Sequence, residues 1–460
     1  MSVHVVILAA GQGKRMHSAL PKVAHLLAGR PLIGWVVTAV ESLAPESTVV
    51  VVGHGADEVR PLLPGDVLVA HQDPQLGTGH AARIGVDAIP DLDREDTVVV
   101  LYGDMPLITP ALLVELADLG AATLKLVTAD LDDPTGYGRI VRGGEGRVMG
   151  VVEHADCTSE QLQIREVNAG IYALRAGDLL DSLDQVGNDN AQGEYYLTEV
   201  VGILAAKGAR LEAVKARAEE VSGINSQDQL AAARKALQRR INQELMESGV
   251  WMLDPERVYI DESVTVEAGA RLYPGVHLEG ETTVAAGAMV GPDVFALDST
   301  IGADSRVWYS VLRGAVVGDG CEVGPFASLR PGTILEEGAR IGTFVETKNT
   351  VLGEGAKALH LTYLGDASVG ARTNIGAGTI TCNYDGISKH PTEIGEDAFI
   401  GSDTMLVAPV EIGDRAITGA GSVITRDVSE GALAIERSQQ REIPGYADRR
   451  QARKGEENED

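Results

Sequence analysis

Through much of the second half of the chain an aliphatic residue returns at every sixth position: Val266, Leu272, Leu278, Val284 and Val290; Val317, Val323, Leu329, Leu335 and Ile341; Ile394, Ile400, Leu406 and Ile412. Glycine often follows it, as in Val317-Gly318, Val323-Gly324, Ile341-Gly342 and Ile394-Gly395. A period of six fits neither a helix face nor a plain alternating strand. It fits short strands joined by tight turns, each sending one aliphatic side chain into a stacked prism. This is the hexapeptide signature of a left-handed parallel β-helix. Low aromatic content suits such a stack, and only 4% of the 460 residues are aromatic although 44% are hydrophobic.

The first half reads differently. Val3-His4-Val5-Val6-Ile7-Leu8 is a buried strand that runs into Ala9-Ala10-Gly11-Gln12-Gly13-Lys14-Arg15-Met16, a small-residue turn with two cations. Such a turn suits phosphate. A dinucleotide fingerprint would place a third glycine where Met16 stands, so a triphosphate is favoured over a nicotinamide. Residues 48–52 and 97–101 are β-branched runs separated by helix-length segments, the pattern of an α/β domain with a mostly parallel sheet. The second run ends in Tyr102-Gly103-Asp104. A carboxylate just past a central strand lies where open α/β sheets bind ligands, and it suits Mg²⁺; a capping or turn aspartate is the plainer alternative. Leu230, Leu237, Ile241 and Leu245 at helical spacing, between Ser226 or Asp228 and Gly249, predict a connecting helix. The expected organisation is an α/β domain over 1–226, a helical linker over 227–249 that holds the halves apart, a β-helix over 250–437 and a charged, at least partly disordered tail over 438–460.

A net charge of −28 argues against a nucleic-acid partner and requires a local basic pocket for any anionic ligand. Cys157, Cys321 and Cys382 have no metal-ligand spacing, and their odd number gives no disulfide framework. No apolar run approaches the roughly 20 residues of a membrane helix, and residues 1–10 carry no basic leader, so a cytoplasmic protein without a membrane partner is expected.

The segment from Leu8 to Met16, followed by Pro21-Lys22, resembles the sugar nucleotidyltransferases, Rossmann-like enzymes that join a sugar 1-phosphate to a nucleoside triphosphate; Lys14 stands where they usually have threonine. Gln72 with Gln75-Leu76-Gly77-Thr78-Gly79-His80-Ala81, Gly136-Tyr137-Gly138-Arg139-Ile140, Val152-Glu153-His154, Asn168-Ala169-Gly170-Ile171-Tyr172, residues 190–198 and Gly223-Ile224-Asn225 are similar to one branch, the UDP-N-acetylglucosamine pyrophosphorylases. The resemblance implies a UTP and UDP-sugar site that includes Leu8, Ala9, Ala10, Gly11, Tyr102 and Gly103. It further implies that Gln72, Gly77 and Thr78 contact uracil, that Gly138, Glu153 and Asn168 contact the sugar, and that Asp104 and Asn225 hold Mg²⁺. Arg15 and Lys22 are then expected on the triphosphate and its developing charge. A sugar phosphate oxygen is already ionised, so this reaction needs alignment and neutralisation more than a general base.

Histidine, lysine and asparagine are not needed to stack a β-helix, yet they cluster where the six-residue pattern is interrupted: at Arg330, Val345-Glu346-Thr347-Lys348, His360-Leu361-Thr362-Tyr363-Leu364-Gly365-Asp366, Asn374-Ile375-Gly376-Ala377-Gly378-Thr379 and Thr381-Cys382-Asn383-Tyr384-Asp385-Gly386. Residues 381–392 lack the pattern and are expected to loop out, able to cover a site on a neighbour. Asparagine ladders and a surface histidine are the plainer alternative. These motifs, after a nucleotidyltransferase domain, resemble the bacterial family that is both glucosamine-1-phosphate N-acetyltransferase and N-acetylglucosamine-1-phosphate uridyltransferase. The match runs from Leu8 to about Arg437; Leu359 stands where the family usually has glycine. The resemblance implies His360 as acetyl-transfer base, Arg330 and Lys348 on the sugar phosphate, and Tyr363 and Asn374 on the sugar. It places Ala377, Asn383, Tyr384, Ser402, Ala420 and Arg437 at acetyl-CoA, and it implies a homotrimer.

Amine attack on a thioester requires loss of a proton, and a histidine titrating near neutrality takes it; Glu346 is expected to orient that ring. Direct transfer without an acyl-enzyme is expected, since no cysteine belongs to the constellation. The product, UDP-N-acetylglucosamine, would feed cell-envelope polysaccharide synthesis. The competing reading keeps one activity, sugar-1-phosphate nucleotidyl transfer, and makes the β-helix a structural or regulatory module.

Overall fold

The computed structural model describes residues 2–11 and 13–456. They form two compact units, Met1–Gln243 with Ile260–Glu262, and Glu244–Tyr259 with Ser263–Asp460. In the first, the main sheet runs Leu211–Lys215, Leu124–Asp130, Glu166–Arg175, Thr97–Tyr102, Val3–Leu8, Ser47–Val52, Leu68–His71. Val3–Leu8 is parallel to both its neighbours, whereas Glu166–Arg175 is antiparallel to both of its own. Val5, Ile7, Val50 and Val99 pack on one face with Ile33, Val36 and Val37; Val6, Val49, Val51 and Val100 pack on the other with Ala82 and Val86. Burial on both faces is why these strands read as unbroken apolar runs. Strand order reverses beside Val3–Leu8, which opens a crevice at the carboxyl ends of that strand and of Thr97–Tyr102. A hairpin, Arg139–Arg142 with Val148–Val152, joins the crevice side through Val167.

Gln227–Glu247 is the expected helix. Its apolar stripe is spent on the first unit: Leu230, Ala233 and Leu237 are buried with Met16, Leu27, Leu32, Leu107 and Ile224, so that compact unit extends to Gln243 where the sequence had placed a boundary at 226.

In the second unit every aliphatic position of the six-residue pattern is buried. The strands stack in parallel register, as along Trp251, Arg271, Met289, Arg306, Glu322, Arg340 and Lys357. Trp251–Met252 is thus the first rung of that sheet as well as its entry. Lys357 pairs with Asn374, but Asn374 pairs with Phe399, and the longer step contains the expected loop. That loop closes on itself: Tyr384 bridges Lys389, and the Asp385 carboxylate accepts the Ile387 and Ser388 N–H groups. Within the tail, Tyr446–Glu456 is helical. No described helix is long and apolar enough to cross a membrane.

Candidate active sites

At the carboxyl edge of the first sheet lies a cleft of about 640 Å³. Leu8, Ala9, Ala10, Gly11, Arg15, Lys22, Gln72, Gly77, Thr78, Tyr102, Asp104, Gly138, Glu153, Asn168 and Asn225 all line it. Gly103 is the exception among the expected residues. It is buried behind the wall, where a Cβ would stand 2.7 Å from Ile33, and its N–H donates to the Leu8 carbonyl. Lys14 and Arg15 lie on one 3₁₀ turn at the rim, both exposed. Tyr137 and Gln75 also line the cleft without having been assigned a role. The Gln75 amide donates to the Ala10 carbonyl, so it braces the phosphate loop. A glutamine inside a quoted motif was the available signal.

Gln72 is buried and its amide donates to the Gly77 carbonyl at 3.0 Å, while Thr78 accepts the Leu197 N–H at 3.1 Å. These contacts order the 72–78 segment against residues 195–197. The Asn168 amide donates to the Tyr172 hydroxyl at 2.6 Å and its carbonyl oxygen accepts the Gly170 N–H. Gly170 has φ +75°, and a Cβ there would stand 2.0 Å from the Tyr102 ring, so only glycine lets that ring line the cleft. Burial pushes the Tyr102 and Tyr172 phenols up, so both stay neutral hydrogen-bonding groups. Burial also raises Glu153 above the ordinary carboxylate range, partly offset by the Thr198 hydroxyl that donates to it at 3.0 Å.

Asp104 and Asn225 meet across the floor of the cleft. The Lys22 ammonium donates to the Asp104 carboxylate and, at 2.9 Å, to Asn225 Oδ1. Two hard oxygens thus converge on one cation, the donor chemistry Mg²⁺ takes. Among the described residues no group of three or more His, Cys, Asp or Glu side chains converges, so the remaining ligands of such an ion would be phosphate and water.

The second unit carries its own cluster. Glu346 pairs in register with Tyr363, and Lys348 with Gly365. Gly365 leaves room for the Tyr363 ring, since a Cβ would stand 2.3 Å from the phenol oxygen. Asp366 accepts from Asn349 at 2.8 Å and Asn383 at 2.5 Å, and these bonds help hold its carboxyl below the usual range despite its burial. The Lys348 ammonium is depressed by Lys389 first, and further by Arg330. Three cations around this corner make a local basic site on an acidic protein. Lys389 is the residue sequence reasoning missed; it stands in the off-pattern loop, where a lysine facing Lys348 has no periodic signature.

Glu346 does not contact His360 as expected. Its carboxylate accepts from Arg330 at 2.7 Å, because a guanidinium on the neighbouring coil is within reach. What fixes His360 is its backbone: its carbonyl accepts from the buried Thr362 hydroxyl at 2.7 Å. Leu359 lies in the regular strand Lys357–His360, where a side chain is accommodated. The strand registers also stack His360, Ala377, Ser402 and Ala420 at one position of successive coils. The backbone N–H of Asp403 donates to the Ala377 carbonyl and that of Gly421 to the Ser402 carbonyl, while the Arg437 guanidinium donates to the Ala420 carbonyl at 2.7 Å. Asn374 heads the strand before Ala377, and Tyr384 is exposed on the loop.

A nucleotide-type α/β cleft followed by a hexapeptide β-helix that carries His360 and a cluster of cations around Lys348 defines a two-part transferase. The profile of MobA-like NTP transferase domains matches residues 5–162, and that of the bacterial transferase hexapeptide (six repeats) matches residues 391–426. A protein named Bifunctional protein GlmU from Kineococcus radiotolerans is 49% identical over 96% of this chain and 91% of its own. Those of Alkalilimnicola ehrlichii and Stutzerimonas stutzeri are 47% and 49% identical over 97% of this chain and 96% and 99% of theirs. The chain belongs to the family of bifunctional GlmU proteins.

Proposed function

We infer that the β-helix acetylates glucosamine 1-phosphate from acetyl-CoA, and that the α/β unit then joins the N-acetylglucosamine 1-phosphate to UTP, releasing pyrophosphate. The observation that carries this reading is the presence of two separate polar sites with opposite needs met. One is a cleft that gathers Arg15, Lys22 and the Asp104 carboxylate; the other lies on the β-helix, where the strands Glu346–Leu352 and Lys357–His360 carry Lys348 and His360. In the first, Gln72, Gly77 and Thr78 hold uracil, Gly138, Glu153 and Asn168 hold the sugar, and Arg15 and Lys22 neutralise the phosphates. Asp104 and Asn225 would hold Mg²⁺, which when bound supplies charge neutralisation across the phosphates. In the second, Arg330, Lys348 and Lys389 take the sugar phosphate, Tyr363 and Asn374 the sugar, and His360 the amine proton. The column of Ala377, Ser402 and Ala420, with Arg437, suits an extended thioester carrier, and Asn383 and Tyr384 line its entrance. Uridylyl transfer belongs to the compact unit that extends to Gln243 and acetyl transfer to the β-helix over 250–437, in a cytoplasmic protein.

The reading is tested by two uncoupled assays on wild type: thiol release from acetyl-CoA with glucosamine 1-phosphate, and pyrophosphate release from UTP with N-acetylglucosamine 1-phosphate. Both are expected. Absence of thiol release would leave a single-function nucleotidyltransferase with a structural β-helix.

Glu153 gives a pH test. Its carboxylate accepts stronger, charge-assisted bonds from sugar hydroxyls when ionised than when protonated, and burial raises its pKa, so protonation sets in at higher pH than for an ordinary carboxyl. KM for the sugar phosphate in the pyrophosphate assay is expected to rise as pH falls from about 8 to about 5, and Glu153→Gln to flatten that dependence. An unchanged pH profile in the variant would remove Glu153 from sugar binding.

A homotrimer is also inferred. Tyr309, Phe326, Phe344 and Leu361 stand on successive coils in left-handed backbone turns, 41 to 61% exposed, with ring centroids 5.7 and 5.6 Å apart. A continuous apolar ladder of this kind marks a contact surface. Ile387, 91% exposed at the loop tip, supports a loop that reaches a neighbour. Phe344→Asp is expected to sediment as a monomer and to lose thiol release while keeping pyrophosphate release; an intact, active trimer would remove the ladder from the interface.

A further inference from the structure

The Lys22 ammonium is engaged by the two oxygens assigned above to the divalent ion, the Asp104 carboxylate and Asn225 Oδ1. The Lys22 and Asp104 side chains are each 14% exposed, so this pair is held largely out of bulk water, where a charge-assisted contact keeps its strength. The stem of Lys22 is fixed as well. Gly13, at φ +59°, lies so close that a Cβ would stand 2.8 Å from the Lys22 Cβ, so the base of the lysine packs directly against the phosphate loop. The same lysine is also assigned to the triphosphate. One ammonium cannot serve both places, and an ammonium between Asp104 and Asn225 occupies the position a divalent ion needs and repels it.

We propose that Lys22 is a resident counter-ion that exchanges with the divalent cation. In the ligand-free protein its ammonium holds Asp104 and Asn225 together, so that the partly buried carboxylate is never left unpaired. When the divalent ion binds, Lys22 is displaced from those oxygens and its charge becomes free for the triphosphate. Metal binding to the protein alone is therefore weakened by the lysine, since only the lysine-displaced fraction is competent. A triphosphate that accepts the displaced ammonium removes that penalty, which couples nucleotide and metal binding through a single side chain. This inference rests on the reading of Asp104 and Asn225 as the metal ligands.

The test is direct Mn²⁺ binding to the full-length protein without nucleotide, read by the electron paramagnetic resonance signal of free Mn²⁺. Wild type, Lys22→Met and Asp104→Asn are compared, the last to isolate this site from other acidic sites. The exchange predicts that the site lost in Asp104→Asn is roughly tenfold tighter in Lys22→Met than in wild type. Equal or weaker binding in Lys22→Met, with the site still lost in Asp104→Asn, overturns the exchange and leaves the metal reading standing. Unchanged binding in Asp104→Asn overturns the metal reading itself. A second measurement uses unaltered protein: labelling of Lys22 by an amine-reactive reagent, followed by peptide mapping, is expected to accelerate when Mg²⁺ is added. Indifference of the labelling rate to Mg²⁺ also overturns the exchange.

Discussion

His360→Ala is expected to lower thiol release from acetyl-CoA by about 10²- to 10⁴-fold, the usual worth of a positioned general base, while pyrophosphate release from UTP stays at the wild-type rate. The size of the loss follows from the absence of a substitute. Glu346, the carboxylate expected to orient His360, is committed to Arg330, and Lys348 and Lys389 are cations suited to the phosphate. The selectivity follows from the fold, because His360 lies in the β-helix and the residues of the nucleotide-type cleft lie in the other compact unit. An acetylated enzyme trapped by mass spectrometry would count against direct transfer to the amine. A variant that keeps wild-type thiol release would remove His360 from the chemistry.

Lys22→Ala is expected to do the reverse, cutting pyrophosphate release by about 10²- to 10³-fold, as loss of one preorganised charge partner at a transferring phosphoryl group does, and sparing thiol release. Arg15 does not replace it: it sits exposed at the rim on a 3₁₀ turn, whereas Lys22 reaches the floor between Asp104 and Asn225. Turnover within a fewfold of wild type would dismiss Lys22 from the phosphate site. The variant also opposes two readouts in one protein, since activity falls while metal affinity without nucleotide rises. A merely structural lysine would lower both.

Much of this was legible beforehand because the signals are local and periodic. Six-residue spacing identifies a stacked prism whatever its surroundings, and each aliphatic residue at that spacing in the three stretches Val266–Val290, Val317–Ile341 and Ile394–Ile412 is buried. The strand that ends at Leu8, the loop after it and Asp104 past the next central strand are likewise read from short stretches. The helix over 227–247 shows where that legibility stops. An apolar stripe states that a helix packs on something; only the placement of Leu230 and Leu237 against Met16 and Ile224 says what.

The sequence by itself therefore determined the two fold types, the nucleotide-type loop, and the residue classes from which each site is built. The tertiary structure alone decided which of those residues meet. It paired Glu346 with Arg330 instead of His360, brought Lys389 from an off-pattern loop onto Lys348, and set Lys22 between Asp104 and Asn225. It also stacked His360, Ala377, Ser402 and Ala420 into one column, although the insertion after Asn374 disrupts their spacing along the chain. The physical reason is that periodicity reports which face of an element is buried. Pairings between charges depend on register, loop closure and competition among partners many residues apart, and none of these leaves a repeat in the chain.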